Sequence, residues 1–133
     1  MTDAPAPEPE SVSPARGAVL ALRQEVGKVV VGQDGTLSGV VAAMLVNGHV
    51  LLEGVPGVAK TLLIKVISAA LDLEFRRVQF TPDLMPGDIL GNHILQPDEE
   101  GARKLVFQKG PVFTNILLAD EINRASPKTQ SAL

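Results

Sequence analysis

At 133 residues, 45% of them hydrophobic and 20% charged, the chain has the make-up of a soluble globular domain that buries a core without disulfide or metal staples. The lack of cysteine excludes thiolate metal sites, cysteine nucleophiles and disulfides, and fits a reducing cytoplasm. A net charge of −3, with four Phe and no Tyr or Trp, argues against nucleic-acid binding by phosphate neutralisation or base stacking.

Residues Met1–Ser13 alternate Pro5, Pro7 and Pro9 with Ala and Glu. They are expected to form a disordered, extended tail, either a solvated leader or a docking arm. No basic segment followed by an apolar one marks a secretory signal, so the chain is expected to stay in the cytoplasm. Ser13-Pro14 joins a capping hydroxyl to a proline suited to a first helical turn. Val19, Leu20, Leu22, Val26 and Val30 trace the apolar stripe of that helix, and Gly32-Gln33-Asp34 breaks it. A second helix is expected from about Asp34 to Val46, ending at Asn47-Gly48. Its apolar run from Val40 to Val46, the longest in the chain at seven residues, is far short of the ~18–20 that span a bilayer.

His49–Glu53 reads as a buried strand and Gly54–Ala59 as a glycine-containing loop. Lys60–Leu71 reads as a helix with Leu62, Leu63, Val66, Ile67 and Ala70 on its inner face. Phe75–Phe80 is expected to be a second strand, and Pro82–Gly91 a loop. Ile94-Leu95 and Lys104–Phe107 flank an acidic turn, Asp98–Gly101, which predicts a surface hairpin at about 93–107. Asn115–Ala119 is a third apolar strand, and a last helix begins near Ser126-Pro127.

The strongest chemical signal is Gly54-Val55-Pro56-Gly57-Val58-Ala59-Lys60-Thr61, between a predicted strand and a predicted helix. Backbone N–H groups of such a loop, opening on a helix N-terminus, cradle a phosphate chain. Lys60 is expected to reach the terminal phosphates, and the Thr61 hydroxyl to ligate Mg²⁺. Ala59 stands where glycine is usual. If that position needs a positive φ, alanine costs about 1 kcal/mol or more; if it needs only a small side chain, alanine is tolerated.

The second signal is Ile116-Leu117-Leu118-Ala119-Asp120-Glu121, an apolar strand ending in two carboxylates 60 residues after Lys60. Crossover connections put the carboxyl ends of parallel strands on one sheet edge, where ligands bind. Asp120 is thus expected near the phosphates, holding Mg²⁺ directly or through water, and Glu121 is placed to orient and deprotonate the attacking water. His49 and His93 are not read as a shared metal site. Arg76-Arg77 reads as a solvated strand start in preference to a ligand contact, and Lys28 and Lys128 read as solvated surface. Arg124 has two readings, a local salt bridge or a contact with an adjacent subunit.

Together these motifs resemble the AAA+ ATPases, and several stretches resemble the MoxR-type branch more narrowly. They are Val31-Gly32-Gln33, Gly54–Thr61, Gln79-Phe80-Thr81-Pro82-Asp83-Leu84, Gly110-Pro111-Val112-Phe113 and Ala119-Asp120-Glu121-Ile122-Asn123-Arg124-Ala125. The likeness covers roughly residues 16–133, where Ala59 is a familiar loop variant. It implies an α/β fold, the three-layer P-loop NTPase sandwich with a mostly parallel sheet. The hairpin would be the insertion in the second helix typical of this clade. It implies ATP and Mg²⁺ as cofactors, with Val31, Gly32 and Gln33 beside the adenine and Gly54, Val55, Pro56, Gly57, Val58, Ala59, Lys60, Thr61 and Leu62 around the nucleotide. Thr61 and Asp120 would serve the metal, and Lys60 and Glu121 the reaction. It further implies a chaperone-like remodeller, often a hexameric ring, working with partners that carry a von Willebrand factor A domain.

In such domains two more strands, a sensor asparagine, an arginine finger and a helical lid follow the acidic pair, and Leu133 precedes all of them. With the strand order 5-1-4-3-2 that the resemblance implies, the first strand would lack both neighbours, and poor folding or association is expected. Two other activities fit the motifs: a nucleotide-binding or subunit-association module without useful turnover, and a P-loop kinase. The glutamate directly after the metal aspartate disfavours the kinase.

Overall fold

Ser13 accepts a hydrogen bond from the Arg16 amide at 3.3 Å, and Pro14 opens helix α1 (Pro14–Gly27). The computed structural model describes residues 13–54, 60–97 and 101–133. These residues fall into two compact units, Met1–Ala70 and Leu71–Leu133. Residues 1–12 of the expected tail at 1–13, residues 55–59 of the expected loop and residues 98–100 of the expected turn lie outside the described residues.

In the first unit α1 buries Leu22 and Val26, and Val30 is buried just beyond its end. Leu20 is 45% exposed, so the stripe is narrower than expected. Helix α2 (Asp34–Leu45) buries Leu37, Val40 and Val41. It ends where Asn47 takes φ 53°. There the Gly48 amide donates to Ala43 O at 2.7 Å and the Asn47 amide to Met44 O at 3.2 Å, a Schellman arrangement that satisfies the last carbonyls.

Helix α3 (Lys60–Ala70) packs on α1 and buries Leu63, Ile64, Ile67 and Ser68. This face is rotated by about one residue from the expected one, since Leu62 is 43% exposed and Ala70 is exposed. Ser68 tolerates burial because its hydroxyl donates to Ile64 O at 2.7 Å.

His49–Glu53 forms no strand, and this corrects the sequence expectation. Val50 and Leu51 are exposed. A strand persists only where a neighbour takes up its amides and carbonyls. The two ladders among the described residues both lie elsewhere.

The second unit contains both ladders. Strand β1 (Phe75–Gln79) pairs in parallel with β4 (Ile116–Asp120), setting Phe75 against Ile116 and Gln79 against Asp120. Asn115 Oδ1 accepts from the Glu74 amide at 3.0 Å and so extends the ladder by a side chain. The core beside this pair is Phe80, Ile89 and Ala125, with Val78, Leu84, Val112, Ala119 and Ile122 against it.

The expected loop at 82–91 contains a short helix, α4 (Pro86–Leu90). Pro86 supplies the first-turn φ, and Asp88 Oδ2 accepts from the Met85 amide at 2.8 Å. The predicted hairpin is present as antiparallel β2 (Gly91–Pro97) and β3 (Arg103–Lys109), longer than its apolar residues alone suggested. At its base Gly91 has φ 104° and its backbone lies against Gly110 and Gln108, leaving no room for a Cβ at 91 or 110. On one face His93 and Phe107 rings are 5.1 Å apart, and Leu95 opposite Leu105 is solvent-exposed. A 3₁₀ turn (Ile122–Arg124) and helix α5 (Pro127–Gln130), capped by Ser126, complete the unit. Among the described residues no helix is long and apolar enough to cross a membrane.

Candidate functional site

Lys60 is the first residue of α3. Its ammonium donates to Gly54 O at 2.8 Å and lies 3.4 Å from Leu52 O. Thr61 follows on the same first turn, half-buried. A cavity of about 430 Å³ opens beside Lys60, lined by Gln33, Gly35, Thr36, Gly39 and residues 50–53. Of the residues expected around a nucleotide, Gln33 and Lys60 share this cavity. Gly32, at φ 77°, Gly54, Thr61 and Leu62 are not among its walls. Val55, Pro56, Gly57, Val58 and Ala59 lie outside the described residues.

Sequence reasoning missed the wall that α2 contributes. Gly35, Thr36 and Gly39 lie on one helical face, and two glycines inside a helix cost roughly 0.5–1 kcal/mol each relative to alanine. That cost was the available signal.

In the second unit β4 ends on Asp120, and Glu121 follows with φ 54°. A non-glycine residue in this left-handed region costs roughly 1–2 kcal/mol. Glu121 Oε2 accepts from Arg124 NH1 at 2.7 Å, which is the local salt bridge of the two readings for Arg124. Asp120 is held across the ladder by Arg77. Arg77 Nε donates to Asp120 Oδ2 at 3.2 Å, and an NH2 nitrogen of Arg77 is ion-paired with the same oxygen. Arg77 is therefore a partner of the acidic strand end rather than mere solvated surface. Pairs this exposed contribute about 0.2–1 kcal/mol to stability, so their consequence is chiefly geometric.

The donor chemistry fits the cofactors. Thr61, on the first turn of α3, and Asp120, at the end of β4, each carry a hard oxygen of the kind that ligates Mg²⁺. The cavity beside Lys60 combines a cation with glycine-lined backbone, as a nucleotide requires.

The profile of the "ATPase family associated with various cellular activities (AAA)" matches residues 49–133. The chain is 50% identical over 109 residues to "Chaperone MoxR1" of Mycobacterium tuberculosis, covering 82% of this chain and 28% of that protein. It is 34% identical over 123 residues to "Protein MoxR" of Methylorubrum extorquens, covering 89% and 35%. A crystal structure of a candidate ATPase from Cytophaga hutchinsonii superposes with a TM-score of 0.75 at 46% identity, covering 88% of this chain and 34% of that one. The chain thus spans about a third of the length of these relatives. Its α/β arrangement, with a parallel strand pair, is part of a P-loop NTPase fold, and the chain belongs to the MoxR-type AAA+ ATPase family.

Proposed function

We propose that this chain binds Mg·ATP and hydrolyses it to ADP and phosphate, as the nucleotide-handling part of a chaperone-like remodelling ATPase. The observation that carries the reading is Lys60, whose ammonium is tethered to Gly54 O at the wall of the cavity beside α3. A phosphate chain would replace those carbonyls as its partner, at a helix start that favours anions.

The Gly54–Ala59 backbone amides would hold the phosphates, with Gly32, Gln33 and Leu62 around the rest of the nucleotide. Thr61 and Asp120 would hold magnesium, which when bound neutralises phosphate charge. Glu121 would exchange Arg124 for the attacking water, orienting it and taking its proton. Membership of the family supports assembly into a homo-oligomeric ring, a hexamer being the form we propose, in the cytoplasm. The name of the mycobacterial relative supports protein remodelling, for which we propose a partner bearing a von Willebrand factor A domain.

Calorimetric titration with Mg·ATP tests this. Saturable binding is expected, weakened roughly tenfold or more by Lys60→Ala through loss of a charge-assisted bond. Glu121→Gln should keep that binding and slow hydrolysis by about 10²–10⁴-fold. A folded chain that gives no heat with Mg·ATP, or binding indifferent to Lys60→Ala, sinks the reading.

A further inference from the structure

Arg77 sits two register rows before the end of β1, opposite Leu118, while Asp120 lies opposite Gln79. Its guanidinium reaches along the ladder so that Nε and an NH2 nitrogen both meet Asp120 Oδ2. The same NH2 nitrogen donates to Gln79 Oε1 at 3.0 Å. Among the described residues nothing donates to the other carboxylate oxygen, Oδ1. One oxygen of Asp120 is therefore clamped by two donors, the clamp is braced by Gln79, and the second oxygen is left to accept.

From this geometry we infer that Arg77 is a positioning residue that fixes the Asp120 carboxylate and presents Oδ1 to a divalent cation; the inference rests on the reading of Asp120 as the magnesium carboxylate. Metal-ligating carboxylates are themselves hydrogen-bonded from behind, and loss of such a partner typically weakens metal affinity about 10–100-fold. The planar guanidinium suits the task because it offers two donors in a fixed fork, which an ammonium cannot reproduce. The contact spans 43 residues of sequence, so it ties the strand that follows α3 to the strand that carries the acids. The Glu121–Arg124 pair, three residues apart, has no such reach.

The experiment measures ATP affinity of the full chain with Mg²⁺ and with EDTA, for wild type, Asp120→Asn, Arg77→Ala, Arg77→Gln and Arg77→Lys. Circular dichroism confirms that each variant is folded. The expected result is a Mg²⁺-dependent gain in wild type that Asp120→Asn abolishes and Arg77→Ala reduces roughly tenfold, with the EDTA affinity unchanged. Arg77→Lys should restore part of the gain, and Arg77→Gln, which keeps a donor without the charge, serves if the alanine variant does not fold.

A wild-type gain that Asp120→Asn leaves intact overturns the magnesium role of Asp120, and the inference with it. A gain lost in Asp120→Asn but full in both Arg77→Ala and Arg77→Gln overturns the inference alone. So does a tighter Mg²⁺ response in those variants, which would make Arg77 a competitor of the cation. Equal losses with Mg²⁺ and EDTA overturn it too, by marking a purely structural role.

Discussion

The Thr129 hydroxyl donates to Leu84 O at 2.7 Å, joining the first turn of α5 to a segment 45 residues earlier. Thr129 is fully buried, and Ser126 Oγ lies 3.0 Å from the same hydroxyl. Thr129→Val keeps the shape and removes the donor, leaving Leu84 O without it. The expected loss is about 1 kcal/mol, since the acceptor left without its donor is only partly buried. It should be visible as a lower denaturant midpoint at unchanged slope.

The base of the hairpin makes a sharper demand. A Cβ on Gly110 would press on Ile89 O and the Gly91 amide, and one on Gly91 would press on Gln108 O while holding φ at 104°. Gly110→Ala and Gly91→Ala should each cost roughly 1–3 kcal/mol by overpacking rigid backbone. Gly17→Ala is the control. Its Cβ would enter open space inside α1, and it should gain about 0.5–1 kcal/mol, with thermal melts of all three variants as the measurement.

Asp83 offers a prediction in pH. The Thr81 side chain, and next the Asp83 backbone amide, hydrogen-bond its carboxylate and hold its pKa below the ordinary 3.8. A depressed carboxylate pKa stabilises the fold above the unfolded value, and that contribution is lost as pH falls through the folded value. Thr81→Val should move the Asp83 carboxyl resonance in an NMR titration up toward 3.8. A midpoint that does not move would assign the shift to the backbone instead.

Where one residue type has one mechanical use, the sequence was readable. Ser13-Pro14, Asn47-Gly48 and Ser126-Pro127 mark helix ends because a hydroxyl cap, a left-handed C-terminal residue and a first-turn proline have few other uses. The hairpin and the acidic strand end were legible from apolar runs broken by turn residues or carboxylates. His49–Glu53 was not, because an apolar run records the wish to be buried and says nothing of whether a ladder partner is present. Helix α4 escaped because the segment Pro82–Gly91, with two prolines and two glycines, read as loop, and only the Asp88 carboxylate aimed at the Met85 amide reveals a cap. The face of α3 was misjudged by one residue. In the apolar run Leu62-Leu63-Ile64 the side chains alone do not choose which pair turns inward, and packing against α1 decides it. Arg77 read as solvent-facing because its partner is 43 residues away. The wall of Gly35, Thr36 and Gly39 was overlooked for a different reason, since small residues leave no periodic signal.

Glutamate is an uncomfortable tenant at position 121. With its backbone in the left-handed basin, glycine would relax the turn and asparagine would tolerate it better. Any drift toward thermal robustness therefore pulls this position away from a carboxylate. A lineage that keeps an acid here forgoes sturdiness at the joint between β4 and the 3₁₀ turn, and libraries screened for heat tolerance alone would tend to discard it.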